Sequence, residues 1–488
     1  MSSVIKDLKK MSKFYITTAI DYVNARPHLG HALEKIQADV LARWRQLQGD
    51  DVFFLTGTDE NAQKNVIAAE AAGVPVQEFV DKNVASFQEL LRVLDISNND
   101  FIRTTDRTRH WPGVGKLWRA CHQAGDIYKK SYTGFYCTGC EAFLTKKDLK
   151  DGLCPEHLRK PELVSEENYF FRLSKYRQKL KELIENDKLR IIPKKRKKEL
   201  LNFIDSKDFN DFSVSRPTER MKNWGIPVPG DPSQIQYVWV DALANYITAL
   251  GYGTAEANKF QKYWPADIHV IGKGILKFHA IYWPAMLLSA GVELPKAIFA
   301  HGYITVGGQK MSKSLGNVID PIELAKKYGA DPVRYFLLAE IPSLDDGDFT
   351  FERFEQRYNA DLAGGLGNLV ARTVTLSEKR QVKSGKLTNP EFEAVIRETK
   401  EKTAKALEEF KFNEALSLIW QLIAFCDRYI DKTRPWEEKA ESEQVIADLL
   451  LTIKEISDLL LPFLPGTSEK IQQQILRNKK EILFPRLT

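Results

Sequence analysis

The stretch Phe14-Tyr15-Ile16-Thr17-Thr18-Ala19-Ile20, followed shortly by Pro27-His28-Leu29-Gly30-His31, runs from an apolar, strand-like segment into the opening of a helix. Leu33, Ile36, Val40, Leu41 and Trp44 continue it with apolar side chains spaced for one helix face. Proline suits the first turn of a helix, and the unpaired N–H groups there attract anions. Two imidazoles three residues apart, with the side-chain-free Gly30 between them, can close over a phosphate that approaches the backbone. Further strand-like runs at 52–56, 268–271 and 297–299 alternate with helical periodicities. That alternation predicts an α/β fold with a parallel sheet.

The alternation breaks between about 127 and 230, where the sequence turns cysteine-rich, then charged, then rich in proline and glycine. Trp224-Gly225-Ile226-Pro227-Val228-Pro229-Gly230-Asp231-Pro232 closes this interval, which reads as an inserted domain with a proline-stiffened return. Within it, Cys137-Thr138-Gly139-Cys140 and Cys154-Pro155-Glu156-His157 carry the spacing of a tetrahedral zinc knuckle. Thiolates are soft ligands, each short spacing lets two donors chelate one ion, and a closed four-ligand site is structural. Cys121 and Cys426 fall on apolar helical faces and read as small core residues. Beyond about 355 strand signals nearly vanish. Phe412, Ala415, Ile419, Leu422, Ile423, Cys426 and Ile430 keep helical spacing, as does 445–461, and a helix bundle is expected.

A chain of 488 residues exceeds what one core sustains, so several domains are expected. The longest apolar stretch, around 280–292, is broken by Pro284 and Ser289 and is too short to span a bilayer. The N-terminal ten residues lack the apolar core of a secretion signal, so a cytoplasmic protein without membrane contact is expected. The net charge of +6 is mild, and its excess lies wholly before residue 351. The densest basic run, Lys194-Lys195-Arg196-Lys197-Lys198, reads as a solvated face.

Past the middle of the chain stands Lys310-Met311-Ser312-Lys313-Ser314, between Gly307-Gly308 and Gly316. Two lysines on a hydroxyl-rich loop are suited to phosphate oxygens. Taken with the histidine segment, and in this order, it resembles the two nucleotide-binding motifs of the class I aminoacyl-tRNA synthetases. Over roughly residues 12–480 the chain resembles the methionyl-tRNA synthetase family. Ala19-Ile20-Asp21-Tyr22 is similar to that family's methionine-contacting segment, and Leu55-Thr56-Gly57-Thr58-Asp59-Glu60 to the strand end that holds the substrate's α-ammonium. The runs 237–243 and 272–283 are similar to the rest of its pocket, and Asp211-Phe212-Ser213-Val214-Ser215-Arg216 to a segment placing an arginine near the activation site.

The resemblance implies a Rossmann-like parallel-sheet catalytic domain, split by a zinc-binding insertion and followed by an α-helical anticodon-binding bundle. The implied boundaries are 11–126 and 231–304 for the catalytic halves, 127–230 for the insertion, 305–355 for the lysine-loop region and 356–488 for the bundle. It implies ATP-dependent attachment of methionine to its tRNA through a methionyl-adenylate, with release of AMP and pyrophosphate. His28, His31, Lys310 and Lys313 would be catalytic, and Gly30 and Gly272 would join them in binding ATP. Ala19, Ile20, Tyr22, Asp59, Trp239, Ala242, Tyr246, Ile275, His279 and Trp283 would hold methionine. A thioether gains from contact with aromatic rings, and this set offers four. Cys137, Cys140, Cys154 and His157 would hold one structural Zn2+, and Mg2+ would enter with ATP. Asn368, Arg372, Pro435 and Trp436 would read the CAU anticodon; stacking and edge hydrogen bonds recognise splayed RNA bases. The expected partners are ATP, L-methionine and the methionine tRNA, including the initiator, with no DNA. A monomer is expected, or one served by a separate tRNA-binding protein. Two departures stand out: Asn61-Ala62 where the family commonly has His-Gly, and Gly274 where it commonly has the aspartate expected at the adenosine ribose.

Overall fold

Six strands lie side by side in the order Asp100–Arg103, Asp51–Asp59, Lys13–Tyr22, Ile268–Gly272, Ala297–His301 and Arg190–Ile192. Every pairing with a defined register among them is parallel. Seven consecutive residues of Lys13–Tyr22 are buried, as expected of a strand covered on both faces, which is why its apolar residues do not alternate with exposed polar ones. From Lys13–Tyr22 the chain first builds outward through Asp51–Asp59 and Asp100–Arg103, and later returns to the other side through Ile268–Gly272. The strand order therefore reverses between Lys13–Tyr22 and Ile268–Gly272, and the carboxyl ends at such a reversal form the natural ligand crevice of an open α/β sheet.

The computed structural model describes residues 12–139, 142–144, 146–155, 158–311, 316–383, 385, 387–437 and 439–487. Two compact units make up the chain. The first comprises residues 1–27, 45–89 and 97–300; the second comprises 28–44, 90–96 and 301–488.

The first unit holds the parallel sheet and, within the interval 127–230, an antiparallel sheet in the order Ala142–Leu144, Ile127–Cys137, Glu162–Phe171, Phe212–Ser213. The same interval also returns a strand to the main sheet, since Arg190–Ile192 pairs in parallel with Ala297–His301 at its edge. Only Ile191 and Ile192, with Pro193 behind them, announce that strand, too little apolar sequence to stand out among charged neighbours. One continuous core joins Tyr15, Phe53, Leu117, Phe171, Tyr246, Ile281 and Trp283. Gly57 is required by close approach: a Cβ there would meet the Ile102 carbonyl oxygen at 2.2 Å.

The second unit is mainly helical. Most of the Leu29–Leu47 helix belongs to it, with Ala330–Ala339 and the bundle helices Asn368–Arg380, Pro390–Glu408, Phe412–Thr433, Ser442–Leu460 and Pro465–Arg477. The periodic residues of Phe412–Thr433 are all buried, Cys426 among them, and burial pushes its thiol pKa up. Among the described residues no helix is long and apolar enough to cross a membrane.

Candidate active site

At the carboxyl end of Lys13–Tyr22 the pairing with Asp51–Asp59 shifts register between Thr17 and Ile20, then sets Ile20 beside Gly57, Asp21 beside Thr58 and Tyr22 beside Asp59. A bulge of this kind re-aims the side chains that follow it. Asp59 is 1% exposed, and its Oδ1 accepts from the Asn61 backbone N–H at 3.3 Å. The Asn61 amide donates to Asp241 Oδ2 at 2.7 Å and to the Thr104 carbonyl at 3.1 Å. Asp241 Oδ1 lies 2.6 Å from His110 Nε2, and His110 Nδ1 lies 2.7 Å from Thr248 Oγ1. Asn61, the residue that departs from the family's usual histidine, thus joins the strand end carrying Asp59 to the helix Val238–Thr248.

That helix also carries Trp239, Ala242 and Tyr246, all buried. Tyr22 meets Trp239 edge-on with ring centres 5.9 Å apart, and the Lys64 ammonium sits over the Tyr22 ring. Tyr246 faces Trp283 edge-on at 6.3 Å. The turn Phe278–Tyr282 is π-helical, the wide turn that recurs at functional sites, and it carries His279. His279 Nδ1 lies 3.0 Å from the Ile275 carbonyl, which can only accept, so this nitrogen carries a proton. In the neutral ring Nε2 then accepts from the Tyr246 hydroxyl at 2.7 Å. Ala19 and Ile20 are buried with this cluster, and Ile275 packs against it. The indole N–H groups of Trp239 and Trp283 are buried with no hydrogen-bond acceptor among the described residues, a costly arrangement that a ligand's acceptor or a water relieves.

The first unit therefore brings most of the expected methionine residues into one ring-lined cluster. Sequence reasoning missed Phe278, stacked on Trp239 at 3.8 Å, and His269, tilted against Tyr246 with ring centres 4.3 Å apart. Phe278 stands inside the 272–283 run and His269 inside the strand run 268–271; aromatic density was the available signal. Arg216 is buried with its guanidinium 4.5 Å from the Tyr237 ring and 5.2 Å from the Tyr136 ring. Gly272 ends its strand, and Gly274 follows it exposed.

In the second unit the rings of His28 and His31 lie 3.9 Å apart. Gly30 N–H donates to His28 Nδ1 at 3.1 Å, and His28 N–H donates to His31 Nδ1, also at 3.1 Å. Both Nδ1 atoms are therefore unprotonated, and both Nε2 atoms carry the N–H. A Cβ at position 30 would fall 2.9 Å from His28 Cε1, so the glycine is what lets this ring fold back on the helix start. Burial pulls the His28 imidazole down to about 4. It also holds His31 well below its ordinary value, with His28, Lys35 and His301 adding to the effect. Behind them, Glu34 and Lys35 are buried and paired at 2.7 Å, and His301 Nε2 lies 3.3 Å from Glu34 Oε2.

Lys310 is exposed and closes a hairpin against Thr305. Gly307 and Gly308 both adopt positive φ, 59° and 75°, as the two-residue turn demands. Lys313 lies outside the described residues. In the bundle, Arg372 Nη2 pairs with Asp431 at 2.7 Å, and its guanidinium lies 6.0 Å from the Trp436 ring. Asn368 stands exposed one turn earlier on the same helix. Pro435 is buried while Trp436 is 49% exposed, so this tryptophan does not seal the core.

Cys137 ends the long strand Ile127–Cys137, its backbone paired with Ala142. Cys154 follows the antiparallel bridge between Lys150 and Leu153. Both thiols are buried, each beside a tight turn. Cys140 and His157 lie outside the described residues. A soft donor at the base of each turn fits a tetrahedral knuckle.

Comparison with known proteins agrees with this geometry. A family model described as "tRNA synthetases class I (M)" matches residues 14–160 and 146–374, and one described as "Anticodon-binding domain of tRNA ligase" matches 390–486. The methionine–tRNA ligase of Caldanaerobacter subterraneus is 45% identical over 95% of this chain and 74% of its own length. That of Thermotoga maritima is 43% identical over 96% of this chain and 76% of its own. Among solved structures, Mycobacterium tuberculosis methionyl-tRNA synthetase in complex with methionyl-adenylate is 39% identical, with a TM-score of 0.89 over 95% of this chain and 93% of that one. The apo form from the same organism gives 34% identity and a TM-score of 0.84. The parallel sheet with its reversal point is accordingly the Rossmann-like catalytic fold of class I, and the helices that follow are an anticodon-binding bundle. The chain belongs to the methionine-specific family of class I aminoacyl-tRNA synthetases, enzymes that activate methionine and join it to tRNA.

Proposed function

We propose that the residues assembled above divide the two steps of tRNA charging as follows. Methionine lies among Ala19, Ile20, Tyr22, Trp239, Ala242, Tyr246, Ile275, His279 and Trp283, with its α-ammonium on Asp59. Its carboxylate oxygen attacks the α-phosphorus of ATP, which enters with its magnesium ion as substrate; the bond to the bridging oxygen breaks and pyrophosphate leaves. His28 and His31 donate their Nε2–H groups to α-phosphate oxygens, and the Gly30 and Gly272 backbones lie along the nucleotide. Lys310 and Lys313 take the charge that grows on the departing pyrophosphate. In the second step a ribose hydroxyl of the terminal tRNA adenosine attacks the adenylate carbonyl, and AMP leaves with the electron pair on its phosphate oxygen. Asn368, Arg372, Pro435 and Trp436 read the anticodon of the methionine tRNA, the initiator included.

The observation that carries this reading is the pair of backbone-locked imidazoles, which offer two N–H donors side by side without adding charge. Methionine-dependent ATP–pyrophosphate exchange tests it. Lys313→Ala loses exchange by about two orders of magnitude or more, as removal of one transition-state donor does, with unfolding unchanged. Near-parental exchange in that variant refutes the assignment.

The insertion is proposed to hold one structural zinc ion through Cys137, Cys140, Cys154 and His157, a cross-link between its two turns. Metal analysis of unchelated protein then finds about one zinc per chain, and Cys140→Ser lowers it. Further parts of the reading are the division at 11–126, 127–230, 231–304, 305–355 and 356–488, a cytoplasmic location, and a monomer or a complex with a separate tRNA-binding protein.

A further inference from the structure

Arg334 is wholly buried on the helix Ala330–Ala339 and donates to four groups drawn from three separate stretches of the second unit. Nε reaches the Phe463 carbonyl at 2.7 Å, and Nη2 the Pro462 carbonyl at 2.9 Å. Nη1 reaches the Leu94 carbonyl at 3.0 Å, and Nη2 also reaches Asp39 Oδ2 at 2.7 Å. Asp39 is itself 0% exposed and lies on Leu29–Leu47, the helix that opens on His28 and His31. The same Oδ2 accepts from Arg43 Nε at 2.8 Å.

The other end of this contact is equally specific. Pro462 and Phe463 follow the bundle helix Ser442–Leu460, where helix carbonyls are left over and positive charge is favoured. One turn before Arg334, Asp331 accepts from the Thr467 hydroxyl at 2.6 Å and from the Thr467 N–H, in the first turn of Pro465–Arg477. Negative charge is favoured there. One short helix thus grips the turn between the last two bundle helices with a cation at one helix end and an anion at the other. Its cation continues to the histidine helix.

We propose that Arg334 is a positioning residue of the charging reaction, tying the histidine helix to this turn so that the bundle's hold on tRNA sets where His28 and His31 stand. A buried guanidinium whose donors are spent on four rigid acceptors resists separation of any of them, because each lost bond leaves a buried charge unsatisfied. Movement of the turn must then carry Asp39 with it. His31 lies eight residues from Asp39 on the same helix, about 12 Å along its axis. The reacting phosphate is the leaving group when the tRNA hydroxyl attacks, so the placement of the imidazoles acts on transfer as well as on activation. This inference rests on the assignment of His28 and His31 to that phosphate.

The test uses the full chain with Asp39→Asn, which keeps the shape and one acceptor but removes the charge, and Arg334→Lys, which keeps the charge but loses the fork. Three quantities are measured: pyrophosphate exchange without tRNA, the kcat and KM of charging, and the preference for the CAU anticodon over a tRNA with one anticodon base changed. Exchange is measured without tRNA, when the bundle has no hold on tRNA to transmit, and is expected to stay within about threefold of the parent. The kcat of charging and the anticodon preference both fall by about tenfold, within the usual range for coupled sites, while KM for tRNA holds. Equal losses in exchange and charging, or an anticodon preference that survives in both variants, overturn the proposal, since a merely structural role lowers both activities and leaves the preference alone. Exchange by His31→Ala is run beside them: parental exchange there removes the phosphate assignment, whereas an intact anticodon preference in Asp39→Asn removes the role of Arg334.

Discussion

The ring-lined cluster of the first unit and the histidine pair of the second hold their imidazoles by opposite backbone contacts at Nδ1. His279 turns Nδ1–H to a carbonyl, so in the neutral ring its Nε2 accepts from a phenol. His28 and His31 receive backbone N–H groups at Nδ1, so their Nε2 atoms are donors. The backbone group facing Nδ1 decides what the far nitrogen offers. A carbonyl makes an imidazole a fixed strut in an apolar wall; an N–H makes it a donor for an anion.

The largest effect expected from this contrast falls on the donors. His31→Ala lowers kcat for adenylate formation by about 10²–10³-fold, the cost of one preorganised donor to a developing charge. His31→Asn, whose amide can also donate, recovers part of that loss, whereas a role requiring positive charge gives no recovery. Equal defects in the two variants break the comparison.

An effect of about 5–150-fold, from a base-stacking contact of about 1–3 kcal/mol, is expected in the bundle. Trp436→Ala lowers kcat/KM for tRNA while leaving pyrophosphate exchange near the parent. Because Trp436 is half exposed, its melting temperature should barely move. A collapse in melting with loss of both activities would make it structural.

The acceptor imidazole gives a smaller change. Tyr246→Phe removes the phenol hydroxyl that lies 2.7 Å from His279 Nε2, at a cost of about 1–3 kcal/mol. KM for methionine rises by about tenfold with kcat little changed, because the contact holds a pocket wall in ground and transition states alike. Long-range proton–nitrogen NMR of the imidazoles sharpens the point: it should find the proton of His279 on Nδ1 and that of His28 on Nε2.

Much of this was legible before any geometry. The buried strand Lys13–Tyr22 showed as a run without polar alternation because a parallel sheet covers both faces, and Phe412–Thr433 showed because its buried face repeats with helical period. The tautomers were not legible, since they depend on which backbone group faces each Nδ1. Neither was the Asn61–Asp241–His110 chain, whose members are joined across sequence separations of 131 and 180 residues. Nothing in the sequence around Arg334 sets it apart; its four acceptors come together only when the Leu94 segment, the histidine helix and the bundle turn have folded. Sequence pattern records period and spacing, and buried polar contacts between distant segments have neither.

A further expected effect concerns stability and follows from the same donors. Burial pulls the folded-state pKa of His28 from about 6.5 in the unfolded chain to about 4. Above pH 6.5 both states hold the ring neutral, and folding is indifferent to it. As pH falls from 6.5 towards 4 the unfolded chain takes up a proton that the folded chain refuses, so stability is lost across this window, by at most about 1.4 kcal/mol per pH unit for one site. His28→Asn cannot titrate, yet its amide oxygen can still accept from the Gly30 N–H. Urea unfolding of the parent and of this variant should therefore run parallel from pH 8 to 7 and diverge below 6.5, with the parent losing more. If acidification instead stabilised the parent relative to the variant, His28 would be taking up its proton in the folded state. Its Nδ1 would then be a second donor, and the opposition between the two kinds of imidazole would fail.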